Sequence, residues 1–294
     1  MSCRTVLVIR PAALGDTILT LPVLDSIRKE HPGAAITFLG NRAYRDLLPS
    51  WTRFHAFDDP AWLWLFNTEQ TAPPRSAQRY DRAYVILTRP EEVIRNLQRS
   101  GTVSVRHCSS SPQAGLHLVQ HFHEALGLIL PQRRPNLTRV ADGPRKDVIW
   151  VHPGSGGPRK CLPLRKFMPI VTELSKTTGW KLAITMGEED AFVREQPGWN
   201  QIIQSGVSIL ENRSLPELCS QLGNSRLFLG NDSGISHLAA NLGIPSAVFF
   251  VATDPVKWAP WVPPDQMCVI DLRRQDLEEL DFHTQLANIR NLLS

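Results

Sequence analysis

Apolar and polar positions along this chain switch between two periods. Thr5–Ile9 is a short β-branched run that predicts a buried strand. After the turn Arg10-Pro11-Ala12-Ala13-Leu14-Gly15 the apolar spacing lengthens. Ile18, Leu21, Leu24 and Ile27 then share one face of a helix that starts at Asp16 or Thr17. Pro22 falls within it, and its missing N–H predicts a kink. The cycle repeats with strand Ala35–Leu39, helix Asn41–Leu48, strand Ala83–Leu87 and helix Glu91–Gln98. Further on come strand Val148–Val151, loop His152–Leu162, helix Pro163–Thr177 and strand Lys181–Met186. A helix near Ala191, strand Phe228–Leu229, helix Ile235–Leu242 and strand Ser246–Phe250 follow, and Leu277–Leu293 predicts a last helix. Strands separated by helices indicate α/β architecture with parallel, doubly wound sheets.

Residues 131–147 interrupt the alternation with a polar stretch rich in Pro and Gly, a linker signal. The expected organisation is an N-terminal domain over 1–143, a C-terminal domain over 144–275 and a C-terminal helix over 276–294. Hydrophobic residues at 42% and charged residues at 20% exclude disorder, collagen-like repeats and a coiled-coil rod. The formal charge of +4 is uneven: residues 1–145 carry 18 basic and 12 acidic side chains, residues 146–294 carry 14 and 16. Lys29 is the only lysine of the basic half. Arginine forks suit phosphate and carboxylate, so that half either meets an anionic partner or presents a solvated arginine surface. The five cysteines are scattered without a CxxC pair, which fits reduced thiols in a cytosolic protein. His117 and His121 share a helical face, but a zinc site needs more ligands. The first apolar run closes at Arg10, as a strand does and a signal peptide does not, and no run approaches the roughly 18–20 residues that span a bilayer.

Three loops carry chemistry. Leu14-Gly15-Asp16-Thr17 follows the first strand, and His152-Pro153-Gly154-Ser155-Gly156-Gly157-Pro158-Arg159-Lys160 follows the first strand of the second domain. Gly230-Asn231-Asp232-Ser233-Gly234-Ile235-Ser236-His237 leads into a helix. The glycine-rich loop lets backbone N–H groups approach an anion, with Ser155 adding a hydroxyl and Lys160 a charge. It matches neither a Walker A sequence nor GxGxxG. Ser233 and Gly234 stand at a helix N-terminus, where unpaired N–H groups and the dipole favour phosphate. Each loop also has a purely structural reading: a tight turn, a satisfied core imidazole at His237, an N-cap at Asp16.

Taken together, the loops resemble the bacterial lipopolysaccharide heptosyltransferases of glycosyltransferase family 9. The matching features are Arg10-Pro-Ala-Ala-Leu-Gly-Asp16 with Leu21-Pro22, His152-Pro-Gly-Ser-Gly with Lys160 and Pro163, and Asn231-Asp232-Ser233-Gly234-Ile-Ser-His237. They run in one order from residue 5 to about 261. The resemblance implies a GT-B fold, two Rossmann-like domains facing a central cleft, with the acceptor on the first and the nucleotide-sugar on the second. It implies an inverting, metal-independent transfer without a cofactor, usually of heptose from ADP-heptose to the lipopolysaccharide core. The sequence departs from the family pattern at Leu162, where an aromatic is common, and at Thr88-Arg89-Pro90.

By this resemblance Asp16 is the base for the acceptor hydroxyl and Lys160 neutralises the leaving diphosphate. Ser155, Gly156, Ser233 and Gly234 contact phosphate, while Asp232 and His237 touch sugar hydroxyls or diphosphate. Glu188 or Glu189, with Glu188 favoured, accepts from the ribose diol. The implied partners are an ADP-sugar and an anionic, phosphorylated glycolipid, with no nucleic acid. The implied location is the cytoplasm, with room for peripheral contact at the inner face of its membrane. Trp62–Phe66 is either an acceptor- or bilayer-facing aromatic patch or, more in keeping with its composition, core packing. Two other functions compete: a GT-B-like nucleotide-sugar epimerase, which needs a second acid–base set that the sequence does not offer, and a non-catalytic sugar-nucleotide-binding protein.

Overall fold

The structure is a computed structural model that describes residues 3–68, 73–74, 77–132, 137, 144–204 and 207–293. The chain divides into two compact units, Met1–Gln132 and Arg133–Ser294, ahead of the 143/144 boundary read from the sequence. Most of the expected linker, 133–136 and 138–143, lies outside the described residues.

The first unit contains β1 (Thr5–Arg10), α1 (Leu14–Glu30), β2 (Ala35–Gly40), β3 (Thr52–Ala56), β4 (Arg82–Ile86), α2 (Glu91–Arg99), β5 (Ser104–Cys108) and α3 (Leu118–Leu126). Its strands pair in parallel in the order β3-β2-β1-β4-β5, with Val6 opposite both Ile36 and Arg82. Parallel strands covered on both sides need apolar residues on both faces. Val6, Leu7, Val8 and Ile9 are accordingly all fully buried.

The second unit contains β6 (Lys146–His152), α4 (Leu164–Thr178), β7 (Lys181–Met186), α5 (Trp199–Gln204), β8 (Ser208–Glu211), α6 (Leu215–Leu222) and β9 (Ser225–Asn231). It continues with α7 (Gly234–Asn241), β10 (Ser246–Phe250), α8 (Pro255–Trp258), β11 (Met267–Asp271) and α9 (Phe282–Asn291). The sheet is again parallel, ordered β11-β10-β9-β6-β7-β8, which is the Rossmann strand order. In its core Phe167 of α4 meets Phe249 of β10 edge-on, at 5.4 Å between centroids.

Several elements differ from expectation. The helix expected over Asn41–Leu48 is a 3-10 helix, Arg42–Leu47, started by Asn41, whose side chain accepts from the Ala43 N–H. The one near Ala191 is also 3-10, Glu188–Glu195. Helix α1 begins at Leu14 with Ala13 as N-cap, so Asp16 stands in the first turn and is not the cap. Pro22 lies inside that continuous 17-residue helix. The last segment is a 3-10 turn, Leu277–Glu279, followed by α9. Strands β3, β5, β8 and β11 were not expected, and they are the four sheet edges.

The Trp62–Phe66 segment belongs to the first unit's core. Trp64 and Leu65 are buried, Trp62 and Phe66 pack against the same cluster, and Leu63 is exposed. Buried Asn96 of α2 holds the turn, its Nδ2 donating to the carbonyls of Trp64 and Leu65. Among the described residues no helix is long and apolar enough to cross a membrane.

Candidate active site

Open α/β sheets bind ligands beyond the carboxyl ends of their strands, at the point where strand order reverses. In the second unit that point lies between β6 and β9, neighbours in the sheet though far apart in sequence. Asn231, the fully buried last residue of β9, joins the loops there. Its Nδ2 donates to the Pro153 carbonyl at 2.8 Å and its Oδ1 accepts from the Leu162 N–H at 2.9 Å. Ser155 Oγ donates to the Asp232 carbonyl at 2.6 Å. That hydroxyl proton is therefore directed to a carbonyl inside the protein. Gly156 faces open space, since a β-carbon there would meet nothing within 4 Å.

Lys160 ends the 3-10 turn that closes the glycine-rich loop. Its Nζ lies 3.6 Å from Asp232 Oδ2, and the lysine side chain is 42% exposed while the carboxylate is nearly buried. Thr253, in the loop after β10, donates from Oγ1 to the same Oδ2 at 2.5 Å. The carboxylate thus has a neutral donor on one side and a partly exposed cation on the other. Ser233 caps α7, its Oγ accepting from the Ser236 N–H, and Gly234 opens the helix where N–H groups lack intrahelical partners. His237 lies buried one turn further on. Glu188 and Glu189 are both exposed at the start of the turn after β7, and Asp190 beside them is buried. Ser155, Lys160 and Asp232 are joined directly, with Ser233 and Gly234 next in the chain. Both glutamates follow the carboxyl end of β7, which lies parallel to β6 in the same sheet.

Asp16 belongs to the first unit, beyond the carboxyl end of β1 and next to that sheet's own reversal point between β1 and β4. Its Oδ1 lies 3.3 Å from Nη2 of Arg10, the last residue of β1. The Arg10 side chain is 5% exposed, and its guanidinium stands 5.5 Å over the Phe122 ring. Burial pulls the Arg10 pKa down while Asp16 holds it up. Cys108 beside it stays neutral, because burial pushes its thiol up to about 12. Asp16 is therefore the anion that balances this buried cation. Of the two histidines on one face, His117 caps α3, accepting from the Val119 N–H, and His121 Nε2 meets the carbonyl of Ser109, in the loop before that helix, at 3.1 Å.

The model of the family described as glycosyltransferase family 9 (heptosyltransferase) matches residues 65–288. The chain belongs to glycosyltransferase family 9. Across 292 aligned residues it is 22% identical to lipopolysaccharide heptosyltransferase 3 of Escherichia coli, covering 84% of this chain and 83% of that protein. Among solved structures it is similar to a family 9 glycosyltransferase from Veillonella parvula, at TM-score 0.75 and 14% identity over 99% of this chain and 97% of that one. It is also similar to E. coli heptosyltransferase WaaC with ADP, at TM-score 0.69 and 16% identity over 98% and 99%. These likenesses show the fold, which is GT-B. The chain is a glycosyltransferase.

Three residues that brace these loops, Arg10 in the first unit and Asn231 and Thr253 in the second, have no role assigned from sequence. Arg10 and Asn231 sit inside the motifs, and the signal for each was a polar residue closing an otherwise apolar strand. Thr253 gave only a positional cue, three residues past a strand's carboxyl end.

Proposed function

We propose that this enzyme is an inverting, metal-independent heptosyltransferase. It moves heptose from ADP-heptose to an anionic, phosphorylated glycolipid of the lipopolysaccharide core, in the cytoplasm and in peripheral contact with the inner face of the membrane. The observation that carries the reading is the Lys160–Asp232–Thr253 cluster at the strand-order reversal, locked to the glycine-rich loop through Ser155. An ammonium paired with Asp232 beside open glycine backbone suits a departing diphosphate, whose charge grows as the bond to the sugar breaks. Two relatives support the substrates: one is named a lipopolysaccharide heptosyltransferase and another was solved with ADP.

In this mechanism the acceptor hydroxyl attacks the anomeric carbon on the face opposite the diphosphate. Asp16 takes the hydroxyl proton as the new C–O bond forms, and the bond from the anomeric carbon to the diphosphate oxygen breaks with inversion. Lys160 and the N–H groups of Ser155, Gly156, Ser233 and Gly234 receive the charge. Asp232 and His237 orient the sugar or diphosphate, and Glu188 or Glu189 accepts from the ribose hydroxyls. Arg10 keeps the Asp16 carboxylate in place.

A thermal-shift panel of ADP-, UDP-, GDP- and TDP-sugars tests the donor, because a ligand that binds only the folded state raises the melting temperature. ADP-heptose should give the largest shift, and UDP-N-acetylglucosamine alone should yield no epimer. A shift confined to UDP-sugars, or an epimer formed without acceptor, would overturn the assignment.

A further inference from the structure

Asp190 is the third residue of the turn after β7. Its carboxylate is buried, and Oδ2 accepts from the Gly187 N–H at 2.7 Å, closing the turn that presents Glu188 and Glu189. The same carboxylate covers Gly154: a β-carbon on Gly154 would overlap Asp190 Oδ1 and Cγ. Gly154 is not among the glycines with positive φ, so its backbone suits any residue and it is the carboxylate that demands a glycine. His152, buried at the end of β6, completes the contact. Its Nδ1 donates to the Thr185 carbonyl at 3.0 Å, and its Nε2 faces Asp190 Oδ2 at 3.8 Å.

One buried side chain therefore fixes the turn after β7 against the loop after β6. The next residue along that loop, Ser155, is bonded to Asp232, the partner of Lys160. We propose that Asp190 is a positioning residue for the nucleotide, setting the glycine-rich loop and the Glu188–Glu189 turn in register through its fit against Gly154. This rests on the donor-site reading above. The fit needs the volume of the side chain and one acceptor for the Gly187 N–H; it needs no contact with substrate.

The test is a double-mutant cycle read by ADP affinity in titration calorimetry and by transfer rate, with melting temperature followed for each variant. Gly154→Ala should weaken ADP binding about tenfold and slow transfer by roughly 10²-fold, the scale of a displacement of about 1 Å near the chemistry. Asp190→Ala should weaken ADP binding by about tenfold, the scale seen for residues in one network. The double variant should be no worse than Asp190→Ala, because the new β-carbon takes the vacated space. Asp190→Asn fills the same volume, still accepts from Gly187 and should bind ADP as the parent does.

Independent, multiplying losses for Gly154→Ala and Asp190→Ala, or an Asp190→Asn variant as impaired as Asp190→Ala, would overturn the proposal. Lys160→Ala separates the two levels of the argument. If it weakens ADP binding while Gly154→Ala does not, the inference falls and the donor site stands. If ADP binding ignores Lys160 altogether, the donor-site reading itself falls.

Discussion

Replacing Lys160 with alanine should separate catalysis from stability. At 3.6 Å from Asp232 the ammonium has a Coulomb attraction of about 4–5 kcal/mol at an effective dielectric of about 20. That figure overstates the pair's contribution, because the Lys160 side chain is 42% exposed and water competes for it. Pairs this open are typically worth about 0.2–1 kcal/mol. For a protein of this size a loss of that order moves the melting temperature by at most about 2–4 °C. Asp232 keeps its bond from Thr253 in the variant, so the nearly buried carboxylate is not stranded. If the same ammonium meets the leaving diphosphate as proposed, losing that one preorganised charge should cost roughly 10²–10³ in turnover. Steady-state transfer with ADP release as the readout should therefore collapse while the melting curve barely moves, and donor affinity should fall less than turnover. A variant with near-normal turnover would remove Lys160 from the mechanism. One that melts many degrees lower would show the pair to be structural.

Arg10→Met removes the buried cation but keeps most of the packing over Phe122. It should lower kcat by about tenfold or more, the cost of a misoriented base, and leave ADP affinity unchanged; equal losses in both would point to general unfolding. Thr253→Val deletes the neutral donor to Asp232 and should weaken ADP binding by about three- to tenfold, the scale of an ordinary net hydrogen bond, measured by calorimetry. Raising salt should raise the acceptor KM more than the donor KM, because exposed arginines of the first half are screened over about 8–10 Å; equal sensitivity would contradict acceptor docking there.

What could be read from the sequence follows burial. The central strands β1, β2, β4, β6, β7, β9 and β10 lie between covering layers, so both faces must be apolar and the runs stand out. The four edge strands pair on one side only. β3 alternates half-buried and exposed positions through Thr-Arg-Phe-His, and β8 and β11 each keep exposed positions. Such short, mixed runs carry no signal above that of a loop. The site divides in the same way. Gly156, Lys160, Ser233 and Gly234 announce themselves by residue type and place after a strand. The residues that hold them are ordinary in sequence: Asn231, Thr253 and Asp190 acquire meaning only when parallel pairing brings the ends of β6, β7, β9 and β10 to one edge. Helix α1 begins two residues before Asp16 and three before Thr17, the two starts the sequence left open, which puts Asp16 in the first turn rather than at the cap. Its partner Arg10 is six residues away, across a turn whose path the sequence does not reveal.

The central claim is that Asp16 takes the acceptor proton, and the most direct measurement is the single-turnover transfer rate of Asp16→Asn at saturating ADP-heptose and phosphorylated core acceptor. Asparagine keeps an oxygen for the Arg10 guanidinium at nearly the same place, so the cost in stability should stay within about 1–3 kcal/mol. Donor affinity should match that of the parent. Transfer should fall by roughly 10²–10⁴, the usual contribution of a positioned general base. A folded Asp16→Asn enzyme that transfers heptose at close to the parent rate would contradict the account, leaving Asp16 as no more than the counter-charge of Arg10.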